Sequence, residues 1–158
     1  MVPVMIRIKR VYEAAVREDG TRVLVDRLWP RGVKKDAARV VQWMRELGPS
    51  DALRQFFNHD PARWKEFRKR YQQELRSANA RHMLNELVAL AGKDTVTLVY
   101  GAKDETHNQA LVLRQVTNDV RRFERKEGIS RNAPTSRHVR ASAATFSTGL
   151  WPNLLTFV

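Results

Sequence analysis

Two stretches carry most of the reactive side chains: DRLWPRG at 26–32 and YGAKDETHN at 100–108. The first sets Asp26 beside Arg27 and Arg31, with Trp29 between the arginines. The second gathers Lys103, Asp104, His107 and Asn108. Arginine offers a planar fork that matches phosphate or carboxylate, and lysine a compact charge. Histidine exchanges a proton near neutral pH, and a carboxylate can orient it. Such a set could grip an anion through Arg27, Arg31 and Lys103, with Asn108 as a further polar contact. Trp29 could stack on a ring, and His107, with Asp104 or Asp26, could move a proton. Each stretch also has a plain structural reading. Asp26 and Arg27 can pair at a strand end while Trp29 plugs a core. Asp104 can cap a helix, leaving His107 and Asn108 as first-turn polar residues. On the sequence, both readings stay open.

His59-Asp60-Pro61 is a third candidate. Aspartate at an N-cap followed by proline at the first helical position starts a helix, with His59 as its exposed neighbour. In the functional alternative His59 reaches the same cleft as a proton carrier. Histidines 59, 82, 107 and 138 form no H-x-x-x-H pair, so no metal site is expected. The chain has no cysteine, which excludes disulfides, thiolate chemistry and cysteine-bound zinc. No Walker loop, G-x-G-x-x-G or G-x-S-x-G is present, and no cofactor is assigned.

The elements that must position these groups are visible in part. Ile6 and Ile8 alternate with Arg7 and Lys9, as in a half-buried strand. Asp19-Gly20 marks a turn, and Val23-Leu24-Val25 reads as a strand covered on both faces. Whether these two strands pair parallel or antiparallel is open. Residues 33–47 predict a helix through Val40, Val41, Trp43, Met44 and Leu47, ended by Gly48-Pro49. Ser50 predicts the cap of a short helix that turns Leu53, Phe56 and Phe57 inward. After Asp60-Pro61, the residues Trp64, Phe67, Tyr71 and Leu75 share one helical face. A further helix fits 79–91, stopped by Gly92, and residues 95–100 form the strongest strand. A last helix, starting near Asp104, runs through Leu113, Val116, Val120 and Phe123. Both polar stretches thus follow strands. In open parallel α/β sheets ligands bind beyond the carboxyl ends of the strands. If the two strands are parallel neighbours, 26–31 meets 103–108, and the helix start adds backbone donors.

The 158 residues carry a net charge of +12, which favours anionic partners: a nucleotide, a phosphorylated metabolite or nucleic acid. The basic face of the WKEFRKRYQQELR segment accompanies a single aromatic stripe, so it reads as a solvated surface rather than a nucleic-acid element. No apolar run approaches the ~20 residues of a membrane span, and the N-terminus is unlike a signal peptide. The expectation is a cytoplasmic protein without a membrane partner. From residue 128 onward there is no acidic residue and no sustained periodicity, which predicts a poorly ordered tail.

The blocks IRIKRVY, DG-x-x-VLVDRLWPRG, HDPARWKEFRKRYQQEL and LVYGAKDETHNQALVL resemble the YeaO-like family of small bacterial proteins, a domain of unknown function. The likeness runs from about Ile6 to about Val120. It implies a small α/β domain with no established activity. The positions that match the family's polar motifs are Asp26, Arg27, Trp29, Arg31, His59, Lys103, Asp104, His107 and Asn108. Gly101 stands where the family more usually shows alanine. Together these readings predict a small single α/β domain over 1–125, with a few-stranded, mostly parallel sheet and about five helices, and a basic disordered tail over 126–158. The expected function is binding or acting on a small anionic, nucleotide-like ligand in a cleft at the strand ends. The alternative is a nucleic-acid-binding accessory protein without catalysis.

Overall fold

The strand β4, Val96–Tyr100, is buried at every position. A strand with no polar face needs cover on both sides and a neighbour on each edge. In the computed structural model, which describes residues 5–129, β4 has both. It lies between β1 (Ile6–Arg10) and β2 (Thr21–Leu24), parallel to each. A short outer strand, β3 (Gln42–Trp43), pairs parallel with β2, giving the order β1-β4-β2-β3. The fold is α/β, with a four-stranded parallel sheet and five α-helices among the described residues. The first two strands of the chain do not pair with each other, because β4 separates them. Residues 11–20 cross over β4 with only one 3-10 turn, Arg17–Asp19. Gly20 makes that crossing tight. It has φ +60, and a Cβ there would sit 2.2 Å from the Thr95 carbonyl oxygen.

The helices are α1 (Lys35–Ala38), α2 (Asp51–Phe57), α3 (Trp64–Glu74), α4 (Ala78–Ala91) and α5 (Gln109–Lys126). Ile6, Val23, Val25, Val96, Leu98 and Tyr100 face the larger core, filled by residues of α2 to α5 such as Phe67, Tyr71, Leu84, Leu87 and Leu113. Tyr71 is fully buried and donates its hydroxyl to the Leu47 carbonyl, tying α3 to the 3-10 turn Arg45–Leu47. Asp60 accepts a bond from Ala62 N at 2.9 Å and caps the 3-10 turn Pro61–Arg63, which runs straight into α3. No helix of the described residues is long and apolar enough to cross a membrane.

Two expectations need correction. Residues 33–47 are not one helix. The single turn α1 stops where Arg39 takes the left-handed conformation, φ 46. Val41 N then donates to Arg22 O and Met44 N to Leu24 O, so the segment becomes the edge strand β3. The β-branched pair Val40-Val41 and Trp43 suit a strand better than a helix. The last helix begins at Gln109, five residues later than Asp104, because Asn108 is its N-cap. It ends at Lys126, so the expected boundary after residue 125 falls in its last turn. The tail expected beyond it lies, from residue 130, outside the described residues.

The opposite face of the sheet holds Val11, Leu24, Ala38 and Val99, and beside them a buried ionic cluster. Asp19, 3% exposed, accepts from Arg22 Nη1 at 2.5 Å and from Lys9 Nζ at 3.2 Å. Its Oδ2 also accepts from Val16 N at 3.1 Å. Burial pushes the Asp19 carboxyl up, but the bonds from Val16 N, Arg22 and Lys9 outweigh it and hold the group below its ordinary value. Arg22 further donates from Nε to Ala38 O at 2.9 Å, while its Nη2 is buried without a partner. Removing the carboxylate would strand two cations, one of them fully inside. Asp19→Ala is expected to destabilise the fold by about 3–5 kcal/mol in urea unfolding. A loss below about 1 kcal/mol would show that the cluster is in contact with water.

Candidate functional site

A groove of about 830 Å³ opens beyond the carboxyl ends of β2 and β4. Residues 26–31 form one side, Gly101, Ala102, His107 and Gln109 another, and α2 with the turn after it a third. Arg10 Nε donates to Ala102 O at 3.0 Å and Tyr12 Oη to Arg31 O at 3.1 Å, so the loop after β1 ties down both neighbours. The α2 wall is fixed by Ser50, which caps the helix through Leu53 N at 3.2 Å. Ser50 itself is held by Glu74 of α3, whose Oε2 accepts from Ser50 N at 2.9 Å.

Asp26 sits at the junction of these walls. Its Oδ2 accepts from Gly101 N at 2.8 Å and its Oδ1 from Gln109 Nε2. A Cβ at residue 101 would lie 2.9 Å from Oδ2, so glycine lets the backbone come this close. Burial raises the Asp26 carboxyl from 3.8 to about 6, although Gly101 N–H, Arg54 and Gln109 pull the other way. Asp26 therefore titrates just below neutrality.

Arg27 lines the groove, but its guanidinium faces the main chain: Nε donates to Pro49 O at 3.1 Å and Nη2 to Gly48 O at 2.9 Å. It positions the start of α2. Trp29 lines the groove half-buried and donates Nε1 to Val33 O at 2.8 Å. Arg31 is exposed at the mouth, and among the described residues its side chain has no bonded partner. His59 joins the α2 wall with φ 54, directly after Asn58 with φ 42. Two successive left-handed residues that are not glycine store backbone strain, which collects at functional positions.

The second stretch divides. Gly101, Ala102 and His107 line the groove; Lys103, Asp104 and Asn108 stand outside its lining. Lys103 is exposed. Asp104 folds the loop upon itself, accepting from Thr106 N at 2.8 Å, Thr106 Oγ1 at 2.7 Å and His107 N at 3.0 Å. The Thr106 hydroxyl bond, with the others and His107, holds the Asp104 carboxyl well below the usual range. Its other oxygen lies 2.8 Å from His107 Nδ1. An ionised carboxylate can only accept, so Nδ1 carries the hydrogen and Nε2 is the free nitrogen of the neutral ring. The ring stands edge-on to Trp64, with centroids 5.3 Å apart. Asn108 is buried; its Oδ1 accepts from Leu111 N at 3.2 Å and its Nδ2 donates to Asp104 O at 3.0 Å. It serves as the cap of α5.

Arg54 and Gln109 belong to the groove and were not singled out in the sequence. Arg54 projects from α2 beside an exposed Asp51, 2.9 Å away, and Gln109 is the first residue of α5. The only sequence signal for either is its distance from a cap residue, Ser50 or Asn108. Among the described residues, no cluster of three or more His, Asp or Glu could hold a metal.

A family model described as "Inactive DUF488-N3 subclade" matches residues 5–138, more than four-fifths of the chain. The chain belongs to this subclade. It is 44% identical over 108 residues to the uncharacterized protein YeaO of Escherichia coli K12, covering 68% of this chain and 92% of YeaO. It is 43% identical over 113 residues to the uncharacterized protein Rv3073c of Mycobacterium tuberculosis H37Rv, covering 72% of this chain and 93% of that protein. The uncharacterized protein Mb3100c of Mycobacterium bovis matches to the same extent. No solved structure matches the chain. The YeaO-like domain of unknown function is thus its family, and the match of the subclade extends past α5.

The raised Asp26 carboxyl has a cost for folding. The difference between 3.8 and about 6 corresponds to roughly 3 kcal/mol against the ionised form in the folded state. Above pH 6 both folded and unfolded chains are ionised at Asp26, and the full penalty applies. Below pH 4 both are protonated there, and it vanishes. Asp26→Asn is therefore expected to raise stability at pH 7 by about 1–3 kcal/mol. The gain should shrink as pH falls from 6 to 4, measured by denaturant unfolding across that range. A variant less stable than the parent at pH 7 would mean that the carboxylate is a net structural asset.

Proposed function

We propose that the groove binds a small anionic ligand of nucleotide type, and that it holds this ligand rather than transforming it. Asp26 carries the reading. A carboxylate that resists ionisation, yet is aimed into an open groove, gains most from a ligand that donates hydrogen bonds to it. A sugar hydroxyl or the N–H edge of a base would do so. The anionic end of the same ligand suits Arg31, whose charge is unpaired at the mouth, and Arg54 on the α2 wall. His59 and Trp29 supply rings along the walls against which a planar group can lie. The volume falls within the ~300–1,000 Å³ typical of sites for such ligands.

The description of the subclade as inactive favours binding over turnover. His107, in the groove lining and held by Asp104, then orients a ligand through Nε2. A cytoplasmic setting, where nucleotides are plentiful, fits this reading.

Thermal unfolding of the full chain against nucleotides and phosphorylated metabolites tests it. Ligand at ~100 times its dissociation constant should stabilise the fold by roughly 2.7 kcal/mol, and should be recovered chemically unchanged. Affinity should be steady above pH 7 and fall by up to about tenfold per unit below pH 6, as protonation of Asp26 removes the acceptor. Asp26→Asn should abolish that pH dependence. No stabilisation by any of these anions at low salt would defeat the proposal, and conversion of the ligand would defeat its second half.

A further inference from the structure

Beyond the groove, on the side of the edge strand β3, the surface changes character. Trp29 and Trp43 meet edge to face with ring centroids 5.5 Å apart. Trp43 is 38% exposed, although it belongs to the sheet, and its Nε1 is fixed by a 2.7 Å bond to Asp26 O. A cation borders each ring: Lys35 Nζ lies 5.9 Å from the centre of Trp29, and Arg45 Cζ lies 6.0 Å from that of Trp43. Both distances are at the outer limit of a cation–π contact. Each charge lies over its ring on a long, exposed side chain, and among the described residues neither has an ion-pair partner. Residues 31–45 hold five lysines and arginines against one aspartate. Val41, two residues before Trp43 in sequence, is 72% exposed, an apolar residue left in water.

We infer that this aromatic and basic shelf, Trp29–Trp43 with Lys35 and Arg45, binds single-stranded nucleic acid. Three features of the shelf select that partner. Rigidly held, partly exposed indoles offer faces on which unpaired bases stack. The unpaired cations over the rings ride on long, exposed side chains, which can swing to the phosphates of a strand whose base takes the ring face. The net charge of +12 draws a polyanion to the surface as a whole. A duplex fits poorly, because its bases are already stacked on one another. Trp29 belongs to the groove lining as well as to the shelf, so a strand on the shelf would run past the groove. The inference does not depend on which ligand the groove itself takes.

Fluorescence anisotropy with a short labelled oligothymidylate and the full chain provides the test. Binding is expected at about 50 mM salt, weakening steeply toward about 200 mM. A duplex of equal length should bind at least several-fold more weakly. Trp43→Ala should weaken single-strand binding by about tenfold or more. Because that change also removes a bond to Asp26, the exposed charge reversals Lys35→Glu and Arg45→Glu serve as variants that leave the core untouched. Each should lower affinity and reduce the slope of log affinity against log salt by roughly 0.7. The control pair Lys65→Glu and Lys69→Glu, on the exposed face of α3, should change binding less than either shelf reversal. No binding at low salt, equal affinity for the duplex, or an equal loss from the α3 pair would overturn the inference.

Discussion

Asp26 accepts one bond from the backbone of Gly101 and another from the side chain of Gln109. A single carboxylate therefore joins the end of β2 to the end of β4 and to the first turn of α5. The join needs β4 to lie beside β2, so the groove inherits its form from the order of the sheet. It also needs a residue without a side chain at 101, since a Cβ would press on Oδ2 and on the ring of Pro30. Arg27 carries the arrangement outward: by gripping Gly48 O and Pro49 O it sets where α2 begins, and α2 is the facing wall.

One face of the sheet and its carboxyl end handle a desolvated carboxylate in opposite ways. Asp19 is met by Arg22 and Lys9, and its charged form is favoured despite burial. Asp26 is met by neutral donors, with Arg54 acting from farther off, and its charged form is disfavoured. Desolvation acts on both; what differs is whether a cation stands in contact. Full pairing is what a structural carboxylate requires. Pairing with neutral donors alone leaves the charge of Asp26 without a contacting counter-charge, and Asp26 lines the groove.

Much of this was legible in the sequence where a local rule governs. The β-branched run of β4, the aromatic stripe of α3, the Ser50 and Asp60 caps and the stop at Gly92 follow from propensity, spacing and capping chemistry. The 33–47 segment misled because its apolar residues also suit helical spacing. The left-handed turn at Arg39 and the pairing of β3 with β2 are settled by tertiary contact. The start of α5 was misplaced for a similar reason: Asp104 and Asn108 both resemble caps, and the Asp104 loop closing on Thr106 and His107 decides between them. The meeting of the two polar stretches required the sheet order, which no periodicity encodes. Arg54 and Gln109 entered the groove through the geometry of α2 and α5, with no motif of their own.

Of the cations near the groove, most are already engaged. Arg27 bonds two carbonyls, Arg54 stands 2.9 Å from Asp51, and Arg10 bonds Ala102 O. Arg31 alone, among the lining arginines of the described residues, keeps its whole fork for solvent. An anion in the groove would thus meet one free arginine and one that must exchange a surface carboxylate, an exposed pair that costs little to break. Such a site would recognise charge without holding it tightly. Discrimination would fall instead to the floor, where Asp26 and Gln109 offer an acceptor and a carboxamide in fixed positions. The electrostatic attraction is spread over the outer surface, and the groove contributes shape and hydrogen bonding. Under the proposed reading, the surface charge would gather anions and the groove would select among them.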